Sequence, residues 1–191
     1  LFYPAAYDNV LSVASTGNSD TKSVFSNFGT YIDVCAPGSG IYSAQWDNSY
    51  QQQSGTSMAS PVAAGCAAII KSYFPSYTAL QVGEQLRVTC DNIYGLAGNA
   101  GYQNQLGKGR INLYNALTQS GPSIRMKNIV VADNNDNILI VGDTMRISGD
   151  IINYLAATTN LVVTVTSTSP YISIIDGTTT VGALSTLATS N

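Results

Sequence analysis

The chain has 191 residues, of which 45% are hydrophobic and only 10% are charged. This length fits one large or two small domains, and the apolar fraction is sufficient for a buried core. The charged fraction is well below the roughly one quarter of an average soluble domain, which favours a secreted or cell-surface protein covered by neutral polar side chains. A net charge of −3 without a basic cluster argues against binding to nucleic acid or anionic membranes, and no apolar run is long enough to span a bilayer.

The first part of the chain predicts short strands separated by turns. Apolar and β-branched runs predict buried strands at residues 10–14 and 31–35, the second ended by a Pro-Gly pair. A further short strand is predicted at residues 40–43, and residues 45–53 predict a polar turn.

A small-residue loop then leads to Ser57 at the start of an apolar segment. Gly55 permits a tight backbone path, Thr56 is a favoured N-cap residue, and Pro61 is tolerated in the first turn of a helix. We therefore expect a helix over residues 58–74 that is apolar on nearly all sides and buried. Free N–H groups at its N-terminus would stabilise negative charge beside Ser57, as a nucleophilic serine requires. A Ser/Thr N-cap on a buried helix, without any catalytic role, would by itself also explain the Gly-Thr-Ser sequence.

A second helix is predicted to begin after Thr78, which can form a capping box with Gln81. Its expected inward-facing residues are Leu80, Val82, Leu86 and Val88. A Gly- and Asn-rich loop follows over residues 93–109, and residues 111–117 predict a short helix. Strands alternating with helices indicate an α/β domain with a parallel sheet.

From residue 121 onward the pattern becomes all-β. The candidate strands are residues 124–132, 138–141, 143–154, 160–168 and 171–176. Their density of β-branched residues and their spacing are typical of an immunoglobulin-like β-sandwich. We expect a domain boundary between residues 1–120 and 121–191. Because residues 186–191 do not resemble a natural last strand, we expect the second domain to be truncated.

Several sequence blocks resemble the subtilisin-like serine proteases. Residues 55–61 (GTSMASP), followed by AAG, resemble the block that carries the active-site serine of that family. Further matching blocks occur in the family's order at residues 3–10 (YPAAYDNV), 25–29 (FSNFG), 33–38 (DVCAPG) and 107–112 (GKGRIN). The resemblance covers residues 1 to about 118 and implies the second half of the family's parallel-sheet domain.

The resemblance implies a serine endopeptidase that cleaves polypeptides without a cofactor. Ser57 would be the nucleophile, and its backbone N–H would help to stabilise the oxyanion. The residues implied to line the substrate cleft are Ser54, Gly55, Thr56 and Met58. The family pattern also implies a cis peptide bond before Pro4.

The absence of histidine limits this interpretation. No histidine occurs in the chain, so a Ser-His-Asp triad cannot be completed within it. Since the family order is Asp, His, Ser, we expect both partners and the oxyanion asparagine to precede residue 1. The chain would then be a fragment that requires the missing N-terminal half of its domain.

Two alternatives remain open. A sedolisin-like acid peptidase has a similar serine block and uses Glu and Asp in place of histidine, although residues 58–61 (MASP) and 107–112 favour subtilisin. A catalytically inactive scaffold, whose β-sandwich binds a partner or a glycan, is the second alternative, and the intact Ser57 weighs against it.

Metal and thiol sites are weakly indicated. Residues 133–137 (DNNDN) match half of a calcium loop, but Ile138 replaces the required glycine, so a polar hairpin turn is the better interpretation. Subtilisin relatives can bind a weak cation at the segment resembling residues 5–10, with an aspartate matching Asp33.

The three cysteines have no metal-site spacing. Cys35 and Cys66 are expected to be small buried core residues, and Cys90 is the third thiol. Cys35 as a rival nucleophile would lack an activating histidine.

Overall fold

The computed structural model describes residues 3–133, 138 and 140–191. The chain divides into two compact units, Leu1–Gln119 and Ser120–Asn191. Each unit has its own sheets and its own buried residues. Within the described residues, no helix combines the length and the apolarity that crossing a bilayer would require.

A pair of parallel strands forms the centre of the first unit. Strand β1 (Val13–Thr16) runs beside β2 (Val34–Pro37), with Val13 opposite Val34. Parallel pairing together with helices confirms the predicted α/β class of this unit. Both strands begin about three residues later than predicted. The Ser12 N–H donates to the Asp33 carboxylate at 3.0 Å, and the Asp33 and Val34 N–H groups both donate to the Ser12 carbonyl at 3.0 and 3.2 Å, so the pairing just before the two strands is irregular.

The opposite edge of β2 is covered by the segment around Arg110. The Cys35 N–H donates to the Gly109 carbonyl at 2.7 Å, and the Ile111 N–H donates to the Cys35 carbonyl at 2.8 Å. Gly107 has a φ of +61°, and a side chain there would overlap the Asp33 backbone. Only glycine permits this close approach, so the closing block of the sequence fixes β2 from its second side.

Residues 45–53 are not a simple polar turn. Strands β3 (Ile41–Ala44) and β4 (Tyr50–Gln53) form an antiparallel hairpin, with Ile41 opposite Gln53. The rings of Tyr42 and Tyr50 stack across it with centroids 5.9 Å apart. The prediction missed β4 because glutamine is a weak strand former, and cross-strand pairing decided the structure instead.

Three α-helices complete the first unit. They are α1 (Thr56–Tyr73), α2 (Ala79–Val88) and α3 (Leu113–Thr118). A short 3-10 helix, Ala97–Tyr102, interrupts the predicted loop. The Asn112 side chain caps α3 by accepting the Asn115 N–H at 3.0 Å, so α3 begins two residues after the predicted start.

The prediction that α1 is buried on nearly all sides is wrong for this chain. Only Ala59, Ala63 and Ile70 are buried, and they pack into a cluster that includes Val34 and Leu86. The opposite face is exposed although it is apolar, because within the first unit only one face of α1 is covered. Apolar content therefore overestimated the burial of this helix.

Helix α2 confirms the predicted capping box. The Thr78 hydroxyl accepts the Gln81 N–H at 3.3 Å, and the Gln81 side chain accepts the Thr78 N–H at 3.0 Å. Val82 and Leu86 are buried as predicted, but Leu80 is 40% exposed. Its predicted inward position is wrong because polar residues complete the inner face of α2.

Gln85 is one of these inward-facing polar residues. It is almost fully buried, and its amide donates to the Ala116 and Gln119 carbonyls at 2.8 Å. These bonds tie α2 to the end of α3 and satisfy a side chain that would otherwise be costly to bury.

The second unit is built from antiparallel strands. They are β5 (Ile124–Ala132), β6 (Arg146–Asn153), β7 (Thr158–Thr164), β8 (Thr178–Leu184) and β9 (Thr189–Ser190). Their pairing gives a three-stranded sheet in the order β5-β6-β9 and a two-stranded sheet β7-β8. The small buried set of this unit comprises Ser123, Ile151, Asn153, Tyr154, Leu155 and Leu184.

The strand predictions for this unit are correct in part. The bounds of β5 agree with the prediction, whereas residues 171–176 are not a strand and β8 follows them instead. The threonine-rich β8 was missed because Gly182, with a φ of +80°, interrupts its pattern. The final residues do form a short strand, β9, against β6. Residues 134–137 of the predicted hairpin turn 133–137 and residue 139 of the predicted strand 138–141 lie outside the described residues, and residues 138, 140 and 141 are not in a strand.

The capping box of α2 gives a direct stability test. Thr78→Ala removes the side-chain acceptor for an N-terminal N–H group, so we expect a loss of about 1 kcal/mol in the free energy of unfolding. Urea denaturation followed by helical circular dichroism measures this loss. The exposed Thr30→Ala is the control, and an equal change in both variants would contradict a capping role.

Candidate active site

Ser57 is the second residue of α1 and is exposed. The helix begins one residue earlier than the capping rule predicts, because Gly55 rather than Thr56 is the N-cap residue. The Gly55 carbonyl accepts the N–H groups of Met58 and Ala59 at 3.0 and 3.3 Å. The first N–H groups of a helix have no intrahelical acceptor, so Ser57 presents a hydroxyl beside backbone donors.

The serine loop is fixed to the end of β2. The Gly55 N–H donates to the Gly38 carbonyl at 2.8 Å, and the Gly40 N–H donates to the Ser54 hydroxyl at 2.8 Å. A methyl group on Gly38 would lie 2.7 Å from the Gly55 carbonyl oxygen and would also overlap the Ser15 hydroxyl. Glycine at position 38 is therefore required for this approach.

A pocket of about 460 Å³ opens beside Ser57. Ser57 and Met58 line it from α1, and Ile41, Ser43 and Gln53 line it from the hairpin. The inner face of the β3–β4 hairpin thus forms the wall opposite the nucleophile. This wall was not predicted, because its residues carry no chemical signature of their own.

The electrostatics of α1 favour an anion at the Ser57 end. The first turn contains no acidic side chain, so the positive end of the helix dipole is not neutralised there. Lys71 lies in the last turn, and its ammonium donates to the Pro75 and Tyr77 carbonyls at 2.8 and 2.6 Å. Fourteen residues of helix separate Lys71 from Ser57 by about 21 Å, so Lys71 cannot take the proton of the Ser57 hydroxyl.

The structure brings only some of the predicted cleft residues together. Met58 is half-buried and shares the pocket with Ser57. Ser54, Gly55 and Thr56 do not line this pocket; the Ser54 hydroxyl and the Gly55 backbone hold the loop, and Thr56 is the first residue of α1. Their contact with substrate stays a prediction.

The thiol chemistry of Cys35 differs from that of an activated nucleophile. Cys35 is buried as predicted, and its Sγ donates to the Leu106 carbonyl at 3.4 Å. Burial raises the pKa of the Cys35 thiol to about 12. The thiolate is therefore scarce at neutral pH, and Cys35 is a core residue.

Cys66 is only half-buried, which corrects its predicted full burial, since it lies at the edge of the covered face of α1.

The carboxylate of Asp33, the predicted cation ligand, accepts the Ser12 N–H at 3.0 Å. In the described part of the chain, no group of three or more His, Cys, Asp or Glu side chains is placed to hold a metal ion. The weak cation site at residues 5–10, which would use backbone carbonyls, stays a prediction.

Comparison with known proteins places this site in a family. The sequence model of the subtilase family matches residues 1–109, which is more than half of the chain and includes Ser57. The chain belongs to the subtilase family. The cis peptide bond between Tyr3 and Pro4, which the family pattern implied, is present.

Curated relatives are serine proteinases. Thermitase of Thermoactinomyces vulgaris is 42% identical over 115 residues, which cover 60% of this chain and 38% of thermitase. The thermophilic serine proteinase of Bacillus sp. (strain AK1) is 41% identical over 117 residues, which cover 61% of this chain and 27% of that protein. The subtilase chain thus spans between about a quarter and two fifths of these relatives.

Solved structures agree with this assignment. MycP1 from Mycobacterium smegmatis aligns with a TM-score of 0.56 at 30% identity, covering 64% of this chain and 33% of MycP1. A protease from Pseudoalteromonas arctica aligns with a TM-score of 0.54 at 29% identity, covering 60% of this chain and 37% of that one.

The contact between Gly38 and Gly55 can be tested by substitution. Gly38→Ala forces a methyl group against the Gly55 carbonyl, so we expect a loss of about 2 kcal/mol in the free energy of unfolding. Gly17→Ala is the control, because no atom lies within 4 Å of the added methyl group at that position. Urea denaturation compares the two variants, and equal stability would contradict the required close approach.

Proposed function

We propose that this chain carries the nucleophile of a subtilisin-like serine endopeptidase and that Ser57 is that nucleophile. The observation that carries the proposal is an exposed serine at the N-terminus of an 18-residue helix, beside an open pocket and within a subtilase match. A serine hydroxyl attacks a carbonyl only when a base removes its proton and donors receive the oxyanion. The start of α1 offers the donors.

The proposed reaction is peptide-bond hydrolysis through an acyl-enzyme. The Ser57 hydroxyl oxygen attacks the scissile carbonyl while a histidine takes the hydroxyl proton, and the Ser57 N–H donates to the resulting oxyanion. Collapse of the tetrahedral intermediate breaks the C–N bond, and the histidine returns its proton to the leaving amine. Water then hydrolyses the ester and restores Ser57.

The histidine must come from polypeptide outside these 191 residues, because the chain contains no histidine, and the proposal assigns its aspartate partner to the same polypeptide. The exposed face of α1 is a suitable docking surface for that polypeptide. It presents Pro61, Ala64, Gly65, Ala68 and Ile69 without a charged residue among them. A contiguous uncharged apolar face favours burial against another segment, and this face follows directly from Ser57 along the helix.

The subtilase match supports the histidine-dependent mechanism over a sedolisin-like one. Secretion is part of the proposal. The relative Nep of Natrialba magadii, 42% identical over 117 residues that cover 61% of this chain and 20% of Nep, is described as extracellular. The sparse charge of the present chain suits the same environment.

For the second unit we propose a two-layer, immunoglobulin-like β-sandwich segment. Support comes from Asn153 at the end of β6, which is fully buried. Its amide donates to the Leu184 carbonyl at the end of β8 at 3.1 Å and to the Ala156 carbonyl at 2.8 Å. A buried, hydrogen-bonded asparagine that joins strands of two sheets suits the interior of a sandwich.

A fluorophosphonate probe tests the nucleophile assignment. We expect it to label the full-length protein at Ser57 and to leave the isolated 191-residue chain unlabelled, because serine is a weak nucleophile without a base. Peptide mapping by mass spectrometry locates the label, and Ser57→Ala is the control. Stoichiometric labelling of the isolated chain would show that a group within it activates the serine and would refute the proposed mechanism.

Met58 provides a second test of the site. It lines the pocket with Ser57, so its oxidation to the sulfoxide would place a polar group beside the developing oxyanion and lower kcat. We expect peroxide to reduce kcat of the full-length enzyme by roughly ten- to a hundredfold, less than the roughly hundredfold to thousandfold cost of losing one oxyanion donor. Met58→Ala should be insensitive to the same treatment, and equal sensitivity of both proteins would remove Met58 from the site.

A further inference from the structure

A row of serine hydroxyls connects β1 to the loop that holds Ser57. The hydroxyls of Ser15 and Ser23 are 2.8 Å apart, and those of Ser23 and Ser39 are 2.7 Å apart. Ser15 and Ser23 are buried, and Ser39 is half-buried. We call these three residues the hydroxyl chain.

The Ser15 and Ser23 end of the hydroxyl chain is firmly held. The Ser15 N–H donates to the Ser26 hydroxyl at 2.9 Å, and the Ser23 N–H donates to the Ser15 carbonyl at 2.9 Å. The Lys22 ammonium donates to the Ser23 and Ser26 carbonyls at 2.9 and 3.0 Å. The same ammonium lies over the rings of Phe28 and Tyr102, 5.2 and 4.9 Å from their centroids. The segment 22–26 can therefore act as a rigid anchor.

The Ser39 end of the hydroxyl chain lies in loop 38–40. Ser39 stands between Gly38, whose carbonyl accepts the Gly55 N–H, and Gly40, whose N–H donates to the Ser54 hydroxyl. Both bonds fix the residues immediately before Ser57. Loop 38–40 consists of two glycines and one serine, and its ends are held by further bonds, since the Gly38 N–H donates to the Thr16 carbonyl at 3.0 Å and the Gln52 amide donates to the Gly40 carbonyl at 2.9 Å. The hydrogen bond between the Ser39 and Ser23 hydroxyls ties the middle of this loop to the rigid anchor.

We propose that Ser23 and Ser39 are positioning residues for Ser57, acting through loop 38–40. This inference rests on the proposed function of Ser57 as the nucleophile. Neither residue touches substrate. Together they hold the loop that sets the start of α1, and therefore the direction of the Ser57 hydroxyl and N–H. Displacement of a reacting group by about 1 Å can cost up to a hundredfold in rate. Loss of the Ser15–Ser23 and Ser23–Ser39 hydrogen bonds is therefore sufficient to slow the reaction of Ser57.

The test uses the full-length protein and two independent readouts. Amide hydrogen exchange at Gly40 and Gly55 reports on the loop, and the rate of fluorophosphonate labelling reports on Ser57. We expect Ser23→Ala and Ser39→Ala each to speed exchange at both amides by about fivefold, the equivalent of one lost hydrogen bond. Labelling should slow by about tenfold, and Ser39→Thr, which keeps the hydroxyl, should restore both rates.

Two controls separate positioning from general destabilisation. Thr89→Val removes a buried hydroxyl that donates to the Gln85 carbonyl at 2.7 Å, with no bond to loop 38–40. Ser19→Ala removes an exposed hydroxyl bond to Thr21. Neither variant should change exchange at Gly40 and Gly55 or the labelling rate.

Each contrary result has one meaning. Unchanged exchange in Ser23→Ala and Ser39→Ala, or an equal increase in Thr89→Val, would overturn the tether. Faster exchange with wild-type labelling would overturn positioning of the nucleophile. Failure of the wild-type protein to label would refute the proposed function, while the exchange comparison would still decide whether the hydroxyl chain holds the loop.

Discussion

The arrangement of the site depends on the hydrogen bond between the Gly55 N–H and the Gly38 carbonyl. This bond joins the end of a parallel strand to the start of the helix that carries Ser57. It depends on the absence of a side chain at Gly38, because a methyl group there would overlap the Gly55 carbonyl and the Ser15 hydroxyl and would press against Ala59. A serine at a helix N-terminus is common, but here a close backbone approach that requires glycine at position 38 holds the loop in place.

Strand β2 transmits this constraint to the rest of the first unit. β1 pairs along one edge of the strand, and the segment around Arg110 pairs along the other. Arg110 is itself fixed by ion pairs with Asp91 at 2.6 Å and Asp20 at 2.9 Å. The end of β2 is therefore a rigid point from which the serine loop projects, which suits chemistry that requires a fixed nucleophile.

One face of helix α1 in the first unit is not covered. Helix α1 contributes one face to the core and presents an uncharged apolar face to its other side. The same helix presents Ser57 in a chain that contains no histidine. Both features are consistent with one proposal, in which a single additional segment covers the face and supplies the base.

Sequence alone determined the family, the location of Ser57, the capping box at Thr78 and the α/β class of the first unit. These features depend on short contiguous patterns, in which a glycine, a cap or a proline has a local physical meaning. Sequence did not determine the glutamine-rich β4, the exposure of Leu80, the partial burial of α1 or strand β8. Each of these depends on which segment lies opposite in space, since strand pairing and burial are properties of the partner as much as of the residue. The hydroxyl chain is the clearest such case, because Ser15, Ser23 and Ser39 are separated along the chain and become a unit only when β1 and β2 pair.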